Sequence, residues 1–292
     1  MASFDPERTL PAALLVQLEH LNLVSRRRHD NTRQGSRQSR LMGSSIEYSG
    51  YREYTPGDDW RHLDWNVYAR LNQLQIKLRE AEEALVVWLL LDGSSSMDGK
   101  LGFAAGLAAA VGYVALTGGD EVRLSILREG SATSLLQLTS RRQFRQLTRH
   151  LGEPHAYGTT DLALAVRHLL DYGGPHGVCL LISDLLDDGV ERALASLAAA
   201  GHETWVLHVQ SRSDRDPDIP AAAVLVDAET GAELTLDGSI DPIAAYRANR
   251  SAWFAHLERY CLRANIGYLR LSSELETGEA VLGPLRRRGL LR

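Results

Sequence analysis

The sequence is short of almost everything that would place it in a specialised class. It has two cysteines in 292 residues, Cys179 and Cys261, and neither stands in a Cys-x-x-Cys pair. That excludes a disulfide framework and a zinc knuckle, and a reducing compartment is expected. No apolar run approaches the ~20 residues that a bilayer needs. The first residues include Asp5 and Glu7 and no basic stretch leading into an apolar one, so they do not read as a signal peptide. An excess of charge is lacking too: 32 basic against 37 acidic residues leave a net charge of −5. With a pI near 6.1, nothing global argues for nucleic acid or a membrane surface. There is no internal repeat. A soluble, cytoplasmic protein is the expectation.

What remains is ordinary material for a globular fold, 44% hydrophobic and 24% charged. A chain of 292 residues can bury one large α/β core with an appendage. The organising stretch is 85–91, Leu-Val-Val-Trp-Leu-Leu-Leu, followed by Asp92-Gly93-Ser94-Ser95-Ser96-Met97. Apolar residues without alternation read as a strand buried on both faces, as in a parallel sheet covered by helices. The run 178–182 into Ser183 and Asp184 repeats that pattern. Further strands are read at 122–127, 134–138 (an edge), 203–209 and 266–271. Helices are read at 101–116, 141–151, 162–170, 190–200 and 243–261, and a hairpin at 224–236. Strands alternating with helices give a doubly wound, Rossmann-like, mostly parallel sheet. The division read from the sequence is an N-terminal extension, 1–83, and a main domain, 84–292.

The extension has three parts. Residues 8–24 carry Leu10, Leu14, Leu15, Leu18, Leu21 and Leu23, the stripe of an amphipathic helix docked on its own core. Residues 26–40 hold Arg26, Arg27, Arg28, Arg33, Arg37 and Arg40 against Asp30. This is a solvated loop or a nucleic-acid arm, and it lacks an aromatic residue to stack on bases. Residues 43–83 contain strands near 46–48 and 74–78, a turn at Pro56-Gly57, and Asp58, Asp59 and Asp64 around Arg61. Those acids read as a satisfied network with Trp60 and Trp65 as packing, or as a carboxylate cluster for acid/base or metal work.

Ligands of open α/β sheets bind beyond the carboxyl ends of the strands. There the sequence offers Asp92, Ser94 and Ser96, a second-loop threonine at Thr160, and Asp184. Two carboxylates and three hydroxyls are a hard, all-oxygen set suited to Mg²⁺ or Mn²⁺. Each residue also has a plainer use: Ser94 or Ser96 could cap the helix starting near Lys100, and Asp184 the segment around Asp187 and Asp188. Enzyme motifs fail on particular residues. A Gly-x-Ser-x-Gly elbow would need glycine at Met97, a phosphate loop would need glycine at Ser94 and Ser or Thr at Leu101, and a phospho-aspartyl phosphatase would need aspartate at Ser94. No histidine sits in a metal-type pair.

The Asp-x-Ser-x-Ser run resembles the metal-ion-dependent adhesion site of von Willebrand factor A-type domains. The segment Tyr54-Thr55-Pro56-Gly57-Asp58-Asp59-Trp60-Arg61-His62-Leu63-Asp64-Trp65 resembles the signature of the bacterial domain-of-unknown-function fifty-eight family, which precedes such a strand. Residues 226–231 and 261–269 are similar to the family's C-terminal half. The resemblance implies a von Willebrand A-like fold, a metal held by Asp92, Ser94, Ser96, Thr160 and Asp184, and a MoxR-type AAA+ ATPase as partner. Thr159 is adjacent, but Thr160 has the Gly-x-Thr spacing from Gly158. Many relatives carry N-terminal transmembrane helices, which this sequence does not show. The expectation is a metal-dependent protein-binding module rather than an enzyme. Its rivals are a hydrolase using an ion-activated water and a nucleic-acid binder through 26–40.

Overall fold

A strand with no polar face needs cover on both sides, and the strand at 86–92 receives it. The computed structural model describes residues 4–25, 46–55, 63–81, 84–152, 156–159, 161–218, 220, 222–227, 231–237 and 241–292. The chain forms two units, Met1–Arg33 with Leu85–Arg292, and Gln34–Ala84. The first elements are α1 (Pro6–Thr9) and α2 (Ala12–Leu18); β1 (Ile46–Glu53), α3 (Trp65–Leu71) and β2 (Gln75–Ala81) belong to the smaller unit. Then come β3 (Val86–Asp92), α4 (Leu101–Thr117), β4 (Glu121–Arg128), β5 (Ser131–Leu138), α5 (Phe144–Gly152) and α6 (Leu162–Asp171). The chain continues with β6 (Val178–Ser183), α7 (Val190–Ala199), β7 (Glu203–Gln210), α8 (Arg212–Arg215), β8 (Ala222–Val226) and β9 (Glu233–Asp237). It finishes with α9 (Pro242–Arg263), β10 (Gly267–Ser272) and α10 (Thr277–Ala280).

The larger unit is a six-stranded sheet in the order β10-β7-β6-β3-β4-β5. All neighbours are parallel except β5, which pairs antiparallel with β4. Numbered within the sheet this is the doubly wound order 3-2-1-4-5-6, and the Rossmann-like, mostly parallel α/β fold expected from the sequence is the one formed. Alternate residues of β3 point to opposite faces. Val87, Leu89 and Leu91 join one core with the inner residues of α2, α4 and α5. Val86, Trp88 and Leu90 join a second with those of α6 and α7 and with Leu257 and Cys261 of α9. Helix α4 is buried along almost its whole length, as a helix apolar on every side must be. The β4–β5 turn is Glu129-Gly130, both at positive φ (47° and 65°), the two-residue geometry that matches strand twist.

The N-terminal stripe docks on the first core through Leu10, Leu14, Leu18, Leu21 and Leu23, but not as one helix. Pro11 has no N–H to continue α1, so the chain breaks there and restarts as α2. Beyond α2, Asn22 and Arg292 exchange backbone hydrogen bonds, each of 2.9 Å, and Val24 N–H donates to the Leu290 carbonyl at 2.9 Å.

The smaller unit pairs β1 with β2 antiparallel, with a register shift between Tyr48 and Gly50. Helix α3 lies between them in sequence and ends at Asn72 in the left-handed conformation, φ 52°. Strands β8 and β9 form a separate antiparallel pair, as read at 224–236. Among the described residues no helix is long and apolar enough to cross a membrane.

Candidate functional site

Because β3 and β6 are parallel neighbours with Leu91 opposite Ile182, their carboxyl ends bring Asp92 and Ser183-Asp184 together. The Ser183 hydroxyl donates to Asp92 Oδ2 at 2.5 Å and accepts from the Leu185 N–H at 2.8 Å. Asp92 Oδ1 accepts from the Ser94 N–H at 3.0 Å. Leu185 is fully buried with φ 59°, a strained conformation for a bulky residue that only dense surroundings sustain.

The serines do not cap a helix. Ser94 precedes a short 3-10 turn, Ser95–Met97, yet neither that turn nor α4 has a side-chain cap at its start. Instead Ser94 Oγ and Ser96 Oγ face each other at 3.0 Å. The segment 156–159 is laced to this loop by the backbone, Ser95 N–H to the Gly158 carbonyl (3.0 Å) and Tyr157 N–H to the Gly93 carbonyl (3.2 Å), and to the β4–β5 turn by Glu129 N–H to the Thr159 carbonyl (2.8 Å). Arg128 Nε donates to the Gly93 carbonyl at 3.1 Å, and its guanidinium lies 4.2 Å over the Tyr157 ring. A side chain at position 93 would place its Cβ 2.6 Å from Arg128 Nε, so it would push the guanidinium away from the Gly93 carbonyl. Thr160 lies outside the described residues. Its neighbour Asp161 caps α6 by accepting from the Leu164 N–H at 2.9 Å.

Asp184 is held differently. The Lys100 ammonium donates to Asp184 Oδ2 at 2.7 Å and to Asp214 Oδ2 at 3.0 Å, and Lys100 and Asp184 are both buried. Burial pushes the lysine pKa down, but the two carboxylates more than offset this and hold it above its ordinary value. Asp214 belongs to the capping box of α8 with Ser211, and its carbonyl accepts from Tyr246 Oη (2.6 Å) and Arg250 Nη1 (2.7 Å). The helix that follows, α7, has no side-chain cap; Asp187 accepts from the N–H groups of Leu162 (3.2 Å) and Gly189. Asp184 Oδ1 accepts only a long 3.3 Å bond from Leu186 among the hydrogen bonds of the described residues.

Asp92 carries the electrostatic strain. Burial first, then the charge of Asp184, push its carboxyl up to about 6, despite the hydrogen bonds from Ser183 and Ser94. The site therefore gains from added positive charge. Two oxygens bound cis to one octahedral ion at ~2.1 Å stand about 3.0 Å apart, the separation of the two serine hydroxyls. Among the described residues no group of three or more His, Cys, Asp or Glu side chains forms a metal cluster. Any ion here depends on hydroxyl oxygens, which suits a small, hard cation. Carboxylate and hydroxyl oxygens are the donor type that Mg²⁺ and Mn²⁺ take.

The family-signature residues divide. Gly57, Asp58, Asp59 and Arg61, with Trp60, lie outside the described residues, as does the basic 26–40 segment. Tyr54 is half-buried and its N–H donates to the Leu74 carbonyl at 2.9 Å. Asp64 caps α3, accepting from Asn66 (2.9 Å) and Val67 (3.3 Å), which is a structural use. Trp65 corrects the packing expectation: it is 57% exposed, at the first turn of α3, and meets Tyr68 edge-on at 6.3 Å.

Sequence reasoning passed over Lys100, Ser183 and Asp214. The available signal was Lys100 itself. A cation at the N-terminus of a buried helix opposes the helix dipole, so such a lysine calls for carboxylates nearby.

Residues 50–252 match the family model described as "Protein of unknown function DUF58". The chain is 30% identical over 241 residues to "Uncharacterized protein Rv1480" of Mycobacterium tuberculosis, covering 78% of this chain and 74% of that one. An aerotolerance-related membrane protein from Bacteroides fragilis is similar at 15% identity and a TM-score of 0.40, over 70% of this chain and 100% of that one. The von Willebrand factor domain of the type V pili tip protein Mfa5 from Porphyromonas gingivalis is similar at 13% identity and a TM-score of 0.28, over 67% and 84%. Superpositions this loose carry no weight beside the strand order.

Proposed function

This chain belongs to the DUF58 family, and from the geometry of its strand-end site we propose a protein-interaction module that binds its partner through a divalent ion, Mg²⁺ or Mn²⁺. One observation carries the reading: Ser94 and Ser96 turn their hydroxyls to each other beside a buried, strained Asp92 instead of capping the helix that follows. Asp92, Ser94 and Ser96 would hold the ion directly. Thr160 would join them from the loop whose neighbour Thr159 is bonded to Glu129. Asp184 would serve through Oδ1 or through water, since Lys100 engages Oδ2. When bound, the ion supplies a coordination position open to a carboxylate of the partner. Ser183 and the Ser94 N–H fix the orientation of Asp92, and the Arg128–Tyr157 stack keeps the two loops together.

The family resemblance supplies the partner class, a MoxR-type AAA+ ATPase or its client, in the cytoplasm. The deciding experiment is calorimetric titration of Mg²⁺ and Mn²⁺ into metal-free protein, with Asp92→Ala as control. Saturable binding that the substitution removes is the expected result. Absence of binding to the unsubstituted protein, or partner capture that ignores both chelation and Asp92→Ala, sinks the reading.

A further inference from the structure

The two margins of the sheet are built differently. β5 is an antiparallel margin tied into the β4 hairpin, whereas β10 pairs with β7 alone among the described strands. A groove of about 920 Å³ runs there, and five consecutive residues of β10, Tyr268 to Ser272, line it. Side chains alternate between faces along a strand, so a cavity touching five in a row follows the strand's edge. That edge is a row of main-chain donors and acceptors available for pairing.

The groove walls carry four arginines, Arg212, Arg215, Arg270 and Arg288, against Glu258 and Glu274. Both acids are already engaged, Glu274 by Arg215 and Glu258 by Arg270 (3.0 Å). The Arg212 main-chain N–H donates to Glu274 Oε1 at 2.6 Å, but neither the Arg212 nor the Arg288 guanidinium meets a carboxylate among the described residues, and both residues are exposed. The wall thus keeps two spare guanidinium groups, which bind carboxylates through paired N–H donors.

We propose that this groove binds an extended, acidic segment of a partner protein, which adds to β10 as a seventh strand. The main-chain row gives the pairing, and the spare arginines select carboxylate side chains. This surface goes beyond the ion-borne contact and does not depend on it. The two meet at α8, whose Asp214 reaches Lys100 while Arg212 and Arg215 line the groove. A partner could therefore be gripped at both places.

The test uses the full chain and a fluorescein-labelled, end-blocked octapeptide of alternating Glu and Val, read by anisotropy. Saturable binding is expected. It should weaken by about tenfold or more for the Lys-Val counterpart, for a Glu-Val peptide N-methylated on its pairing side, and for the double variant Arg212→Glu/Arg288→Glu. Equal affinity for the N-methylated peptide, or binding that survives the charge reversal, overturns the proposal. EDTA and Asp92→Ala should leave the affinity unchanged; a loss with either would move the binding to the strand-end site and overturn it as well. Failure of the Mg²⁺ titration would leave this result untouched.

Discussion

Two neighbouring strands of one sheet run into an aspartate, and the fold treats the two carboxylates in opposite ways. Asp184 meets a buried ammonium at 2.7 Å. Asp92 is met by a hydroxyl and an amide, and burial together with Asp184 drives its carboxyl up to about 6. One negative charge is matched inside the fold and the other is costly to keep. The lesson is that a recurring strand-then-aspartate pattern does not define a role. What arrives from elsewhere in the chain does, here a lysine at the head of α4.

The largest effect should come from removing that lysine. Lys100→Met leaves Asp184 buried without its ammonium, and breaking a buried pair this way costs roughly 3–5 kcal/mol, measurable by urea denaturation. A loss below about 1 kcal/mol would erase the contrast between the two aspartates. Asp92→Asn should act in the other direction. In the metal-free protein the folded carboxyl keeps its proton up to about 6, against an ordinary value of 3.8. Its contribution to stability is therefore present below the lower value and lost as pH rises through the higher one. At pH 7 the substitution should stabilise the metal-free protein by about 1–3 kcal/mol, and the gap between the two proteins should open between about pH 4 and 6. Parallel stability curves across that window would show that Asp92 is not strained. The smallest effect sharpens the role of the hydroxyls. Ser96→Ala should cost no more than about 0.5–1.5 kcal/mol, the worth of the one hydroxyl contact with Ser94 that it removes, and Ser94→Ala should cost the same; a larger loss on Ser96→Ala than on Ser94→Ala would give Ser96 a structural role beyond that contact.

Much of this was legible because the signals were local. The run 85–91 announces a strand covered on both faces, and β3 is buried at every position. The even spacing of strands and helices gives the doubly wound order. The serines beyond β3 were visible as candidates for ligands or caps, and the structure decides only the second: neither the 3-10 turn nor α4 takes a side-chain cap, and the two hydroxyls meet each other at 3.0 Å. The N-terminal leucines correctly mark a docked face, whereas Pro11 decides that the face is two short helices. Asp64 beside an apolar helix start could have been read as the cap it is, and Trp65 shows that a large aromatic need not be packing. The Lys100–Asp184–Asp214 group was out of reach of local pattern. Its members lie 84 and 114 residues from the lysine, and only strand order brings them together.

The pairing of Asn22 with Arg292 and of Val24 with Leu290 has a consequence in time. The backbone that fastens the segment behind the N-terminal leucines is made some 270 residues after it. At ordinary translation speeds that is a wait of roughly 15–50 s, during which Leu23 lacks the bridge to Leu291 that it finally has. A segment made early in this order is thus fastened late, and its leucines have only the apolar core around α4 to cover them until residues 290–292 arrive.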